Sequence, residues 1–426
     1  MDISWKEAFL NYFQPKLFLI LILGLASGLP YGMLIDPLSF WLSESEISRS
    51  SIGLISLVTL TYSFKALWSP FVDRFRLPFL FRMFGQRKSW LIISQIFVTL
   101  TLLLMASSDP SISLSMLAFF AIATGFASAT QDICVDALRI EMVEEKELGE
   151  ASAMYQAGWR LAFLISQVVS FFIASMYDWS AAYISAAFMM TALSLLLLIF
   201  LSEPERSVKT YTSVLAEPRK WFTESYIYPF LDFSKQHRNN FFIIILLIIF
   251  YRFSDIILGP MAMPFYRESG FSKEEVATIT NAFGIAVTIF GAFIGGFLIY
   301  KNGIKRILII GAILVCITNL MFAGLETMGH DLVGLTITIA FDNFSQGLAG
   351  TVLIAFLSSL TSQSFTATQY TLLFMLATVP AKFLSGFSGF IVDEVGFFSF
   401  FVYAALMGLP AIILSFSLNS RHESAE

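Results

Sequence analysis

Nine ionisable side chains stand inside long apolar stretches of this chain: Asp36, Lys65, Asp132, Asp136, Arg160, Arg252, Asp255, Asp342 and Lys382. An Arg, Lys or Asp at a bilayer centre costs about 2.5–3.5 kcal/mol on the insertion scale, so nine facing lipid would cost roughly 20–30 kcal/mol. Such groups must pair with one another or line a wet space inside a helix bundle. Their spacing says what chemistry they can do. Arg252 and Asp255 are three apart and share a helix face, as do Asp132 and Asp136 at four apart. Asp132, Asp136, Asp255 and Asp342 are candidates for a coupling proton; Lys65, Arg160, Arg252 and Lys382 are candidates for meeting an anionic ligand. Static ion pairing is the competing reading for the Arg252–Asp255 pair, and a structural network for the Asp132–Asp136 pair with Lys65 and Arg160.

The elements that position these groups are membrane helices. Of the 426 residues 57% are hydrophobic and only 13% charged, with a mean hydropathy of +0.75, where soluble domains are nearer a quarter charged. A span needs about 20 apolar residues, and twelve runs qualify: 17–42, 51–72, 89–107, 111–137, 151–176, 179–201, 241–266, 274–300, 305–325, 331–360, 366–391 and 396–418. The first run is too long for a cleaved leader and lacks a small-residue cleavage site, so it is expected to stay as a helix. A polar stretch at 202–240, with Pro204, Pro218 and Pro229, divides the chain into an N-terminal bundle (1–201) and a C-terminal bundle (241–426). Segment 217–231 mixes bases and aromatics, so it can lie on the membrane surface or be an ordinary linker.

Lys and Arg set the orientation. With the N-terminus inside, one side receives Lys6, Lys16, Arg74, Arg76, Arg82, Arg87, Lys88, Arg139, Lys146, six bases of the linker (Arg206, Lys209, Arg219, Lys220, Lys235, Arg238), Lys301, Lys305, Arg306 and Arg421; the other receives Arg49, Arg267 and Lys273. Both termini are therefore expected in the cytoplasm. The halves also echo each other. Acids sit on helices one and seven (Asp36, Asp255) and on four and ten (Asp132, Asp342); bases sit on five and eleven (Arg160, Lys382). At 1.5 Å per residue Arg252, Asp255, Asp342 and Lys382 lie ~16–21 Å along their helices, near the midplane. Gly28, Pro30, Gly32 and Pro37 interrupt helix one, and Gly259, Pro260 and Pro264 interrupt helix seven, the corresponding position. Gly291, Gly295 and Gly296 read as close helix packing. The pattern implies an all-α polytopic membrane protein, twelve transmembrane helices in two pseudo-symmetric six-helix bundles, with ligand held between them.

Enzymatic classes find no support. Cys134 and Cys316 fit no disulfide or metal-thiolate spacing, the three histidines fall in loops or the tail, and no phosphate-binding loop or activated nucleophile is present. No cofactor, metal or nucleic acid is expected. The expected partners are a small solute and the bilayer, and the expected state is a monomer.

Several segments resemble the AmpG muropeptide permease family of the major facilitator superfamily: SGLPYGM (27–33), SFKALWSPFVDRF (63–75), FGQRKSW (84–90), ASATQDICVDA (127–137), GWRLAFL (158–164), YRFSD (251–255), DNFSQGLAGT (342–351) and SFTATQYTLL (364–373). Asp73, Arg74, Gly85, Arg87 and Lys88 are similar to the superfamily signature between helices two and three, which implies a gating loop. The resemblance implies import of N-acetylglucosamine–anhydro-N-acetylmuramic acid, with or without peptide, across a bacterial inner membrane, with H+ as the coupling ion. On that reading Lys65, Arg160, Arg252 and Lys382 suit ligand carboxylates, while Gln131, Asn343, Gln346 and Gln369 suit amides and hydroxyls. The chain departs from the family's usual Glu at Asp342, paired Gly at Gln346–Gly347 and Arg at Lys382. Carriage of another anionic metabolite, such as an acyl-coenzyme A or a peptide, remains open, as does a non-transporting sensor of wall fragments.

Overall fold

The computed structural model describes residues 5–204 and 217–418; Arg206, Lys209 and Arg421 lie outside them. Among the described residues ten helical spans are long and apolar enough to cross a membrane. Two interrupted ones complete the twelve.

In chain order the spans are α1 (Pro15–Glu44, broken after Met33), α2 (49–74, in short α and 3-10 pieces), α3 (Gln86–Ala106), α4 (Leu114–Glu141), α5 (Leu148–Met176) and α6 (Trp179–Phe200). The second half comprises α7 (Phe241–Glu268, broken at Arg252), α8 (273–302, with a π turn at Ala277–Phe283), α9 (Ile304–Met328), α10 (Leu332–Ser359), α11 (366–395, bent at 386–387) and α12 (397–417). The step between the last two is Gly396. Its φ of 76° and ψ of 169° end one helix and start the next, a conformation that costs glycine nothing. Contacts follow the reversal: Ser388 bonds the Ile257 carbonyl, Phe397 packs on Phe265, and the Ala404 carbonyl returns to Ser254.

Both ends of the described chain lie on one face, called the terminal face below. Lys16 reaches Glu147 at the start of α5, and Lys305 at the start of α9 bonds the carbonyl of Leu418. Pro218–Phe222 and Tyr228–Gln236, helices of the linker, also lie on this face. The Tyr226 hydroxyl donates to the Leu67 carbonyl of α2 at 2.7 Å, and Trp221 packs on Phe71. His237 contacts the Leu360 carbonyl. The linker's hydrogen bonds thus run to both halves of the bundle.

Helix packing depends on backbone contact. A methyl added at Gly24 or Gly28 of α1 would overlap the carbonyl of Tyr155 or Trp159 on α5, and one at Gly158 would overlap the Leu21 carbonyl. Small residues drive such close crossings in membranes, where no hydrophobic effect holds helix to helix. Gly291 and Gly295 do the same for α8 against Phe344 and Leu348 of α10. We expect Gly158→Leu to abolish a monodisperse peak on size-exclusion chromatography in detergent, whereas Gly324→Leu, where an added carbon meets nothing within 4 Å, leaves it.

Candidate functional site

One wall of the interior is built by α1, α2, α4 and α5, in three layers. Nearest the terminal face, Lys65 Nζ donates to Asp136 Oδ2 at 2.7 Å, and the other carboxylate oxygen stands 3.7 Å from Arg139 Nη2. Arg139 was expected in a polar loop. Instead α4 runs on to Glu141, and Arg139 is fully buried. An Asp at i−3 and a cation in the last helical turn both favour that extension. Its Nη1 bonds Ser152 of α5 at 3.2 Å and Ser358 of α10 at 3.0 Å, and its guanidinium lies over the rings of Tyr155 and Tyr370. A network joining α2, α4 and α5, one of the two readings of this cluster, is thus present, and it reaches into the second half.

In the next layer Ser27 Oγ donates to Asp132 Oδ1 at 2.6 Å, with the Tyr155 hydroxyl 3.4 Å from the serine. Gln131 turns away, donating to the Ala26 carbonyl at 2.7 Å as a tie between α4 and α1. The third layer is aromatic. Tyr31 lies 4.9 Å from Tyr62 and 5.4 Å from Trp159, ring centre to ring centre, and Trp159 stacks on Phe163 at 5.6 Å. Arg160 was expected among the carboxylates of α4. It stands instead 5.6 Å from the Trp159 ring and within electrostatic range of Arg252, because its face of α5 turns toward the other half.

The facing wall is built on α7 and α10. Arg252 sits at the break in α7, its Nε 3.5 Å from Asp255 Oδ2; its side chain is 27% exposed and that of Asp255 4%. Asp342 accepts from Gln346 Nε2 at 2.8 Å and lies within electrostatic range of Asp255. Gln156 of α5 crosses to this wall, donating to the Gly347 carbonyl and accepting from Thr351, both at 3.4 Å. Asn343 ties α10 to α8, accepting from Thr288 at 2.8 Å. Lys382 of α11 donates to Ser63 of α2 at 3.1 Å. Gln369 lies on the terminal face, its Nε2 bonding the Pro229 carbonyl at 3.0 Å and Asp232 at 3.1 Å. Asp36 is exposed at the start of the second segment of α1. Of the amide side chains expected to meet ligand, Gln346 alone lies against the midplane carboxylates; Gln131, Asn343 and Gln369 hold helices or the linker.

The candidate gating loop closes the terminal face. Arg87 Nη2 donates to Asp73 at 2.6 Å and to Glu141 at 2.8 Å. Asp73 also accepts the Thr368 backbone N–H at 2.8 Å and its hydroxyl at 2.5 Å, placing a carboxylate at the N-terminal turn of α11, where the helix dipole favours it. Ser69 receives a bond from Thr371 at 2.8 Å. Gly85 has φ +83°, and an added carbon there would strike Glu203, whose carboxylate accepts the backbone N–H groups of Arg87 and Lys88 at 2.8 and 2.9 Å. Arg74 reaches Glu224 of the linker at 3.4 Å. The bonds from Asp73, Ser69, Arg139 and Gln156 to the second half all lie toward this face.

Buried cations paired with carboxylates and a bonded seal between the halves at one end suit a carrier. The family model for the Major Facilitator Superfamily matches residues 17–251, more than half of the chain. A putative transporter AmpG 4 of Rickettsia felis is 35% identical over 410 residues, covering 95% of this chain and 97% of its own. The chain belongs to the AmpG family of the major facilitator superfamily. An anhydromuropeptide permease of Escherichia coli K12 is 32% identical over 94% of this chain and 79% of its own. Among solved structures, the outward conformation of the major facilitator FucP has a TM-score of 0.72 at 14% identity, covering 98% of this chain and all of that one. The proton:xylose symporter XylE has a TM-score of 0.69 at 13% identity, covering 96% of both chains. This AmpG-family protein is a multi-pass membrane transporter and not an enzyme.

Sequence reading missed Arg139, Gln156, Glu141 and Glu203, and gave Trp159 little weight. For Arg139 a signal existed: Asp132, Asp136 and Arg139 continue one helix face. For Gln156, four residues before Arg160 on the same face, the same argument applies.

Proposed function

We propose that this transporter imports peptidoglycan-turnover fragments, N-acetylglucosamine–anhydro-N-acetylmuramic acid with or without peptide, by proton symport and alternating access. The observation that carries this reading is the placement of Arg160 against the aromatic layer of α1, α2 and α5, with the Arg252–Asp255 pair and the Asp342–Gln346 pair on the facing wall. Such a site meets carboxylates with guanidinium groups and leaves two acids near the midplane for a proton. The names of the relatives point to the same solute. The rocking units are residues 1–201 and 241–426, joined by the linker 202–240. The excess of Lys and Arg on the terminal face supports cytoplasmic termini, and the bacterial permeases that this chain resembles support a bacterial inner membrane. With that face inside, the bonds at Asp73, Ser69 and Arg139 close the cytoplasmic side, and Lys382–Ser63 joins the halves deeper in the bundle. Lys382 and Lys65 flank the path; Asp136 is engaged by Lys65, so the proton falls to Asp132, Asp255 or Asp342.

The test is transport by purified monomer in proteoliposomes. Labelled disaccharide-tetrapeptide is expected to accumulate when a proton gradient is imposed inward, and to leak back when a protonophore collapses it. Accumulation that survives the protonophore overturns symport. Failure of the muropeptide to enter, with entry of acetyl-coenzyme A, overturns the solute.

A further inference from the structure

We infer that Tyr31, Tyr62 and Trp159 form a cup that receives a pyranose ring of the ligand; this rests on the muropeptide reading above and assigns the sugar, as distinct from the peptide, to the first-half wall. Three helices bring these rings together: Tyr31 from α1, Tyr62 from α2 and Trp159 from α5. A closed aromatic core is the simpler account, but the rings do not behave like one. Each is only partly buried, whereas Tyr183, Tyr251 and Tyr370 elsewhere in the bundle are sealed. Nor do they face lipid. Arg160 stands against Trp159, and Asp132 lies within electrostatic range of both tyrosines. Ionisable groups inside a membrane mark a wet or ligand-lined space.

The ring angles select the occupant. Tyr31 and Tyr62 meet edge to face at 86°, and Tyr31 and Trp159 are tilted by 47°. A planar base stacks best in a slot with parallel walls, which these three do not make. A puckered pyranose presents C–H groups in several directions and can meet rings set at angles. Its hydroxyls need polar partners beside the rings, and Asp132 supplies an acceptor and Arg160 a donor there.

The experiment is competition in proteoliposomes. Labelled disaccharide-tetrapeptide is displaced by peptide-free N-acetylglucosamine–anhydro-N-acetylmuramic acid, by free tetrapeptide, or by acetyl-coenzyme A. Trp159→Ala is expected to raise the disaccharide concentration for half-displacement about tenfold, as is Tyr31→Ala, and to leave the tetrapeptide value unchanged. Trp159→Phe, which keeps a flat ring, is expected to restore most of the loss. Should Trp159→Ala fail to fold, tryptophan emission serves instead: disaccharide shifts the emission of wild-type protein, and the shift is absent in Trp159→Phe. Wild-type transport with unchanged disaccharide competition in both alanine variants, or loss confined to acetyl-coenzyme A, overturns the cup alone. If neither disaccharide nor disaccharide-peptide competes in the wild type, the muropeptide reading fails and the cup with it.

Discussion

Asp136→Asn is expected to destabilise the folded protein by about 3–5 kcal/mol, the size seen when one partner of a buried ionic group is removed. Asp136 lies between two cations. Lys65 stands 2.7 Å from one oxygen and Arg139 3.7 Å from the other, and the side chains of Lys65 and Arg139 are 6% and 0% exposed. Taking away the acid leaves two buried positive charges, with Asp132 as the other carboxylate acting on Lys65. Lys65→Met is a milder change, because Asp136 keeps Arg139. The expected order of unfolding midpoint in detergent is therefore wild type, Lys65→Met, then Asp136→Asn. The double variant Lys65→Met/Asp136→Asn should recover part of the second loss, since it removes one stranded cation. Equal losses from both single changes would mean that Asp136 does not serve two partners.

Asp255→Asn is expected to abolish uphill accumulation while leaving ligand exchange close to wild type. With one proton per ligand and a gradient of one pH unit, the ceiling on accumulation is about tenfold; without a titrating group it falls to unity. Asn keeps the shape beside Arg252, whose contact with Asp255 is an ion pair at 3.5 Å without a hydrogen bond, so the arginine stays available for the ligand. The readout is the accumulation ratio beside counterflow in the same vesicles. Equal loss of both would make Asp255 a structural partner of Arg252, and an unchanged ratio would move the coupling role to Asp342 or Asp132.

The twelve helices and the break between halves were legible because hydropathy and length alone define a span. Even the interrupted α2 and α11 were found, since apolar composition persists through a local change of helix type. What charge and spacing could not supply was direction around the helix axis. Gln131, Asn343 and Gln369 have the chemistry of ligand contacts, but only the packed structure reveals that they bond Ala26, Thr288 and Pro229. Arg139 was hidden by a different ambiguity. A cation near a helix end reads as loop unless the partners that bury it, Ser358 and Tyr370, are known, and these lie more than two hundred positions away in sequence.

The backbone contacts at Gly24, Gly28 and Gly158 join α1 to α5 with no side chain between them. Tyr31 and Trp159 are carried on these two helices, so the separation of the backbones that bear them is set by main-chain contact. The opposing α7 is broken at Arg252 and carries Pro260 and Pro264, and α8 has a π turn near its start. The α1–α5 crossing is thus cast as a fixed die and the α7–α8 side as an articulated jaw. Solutes of different length would then be discriminated mainly by how far the jaw must yield, while the part pressed against the die is held to a constant shape.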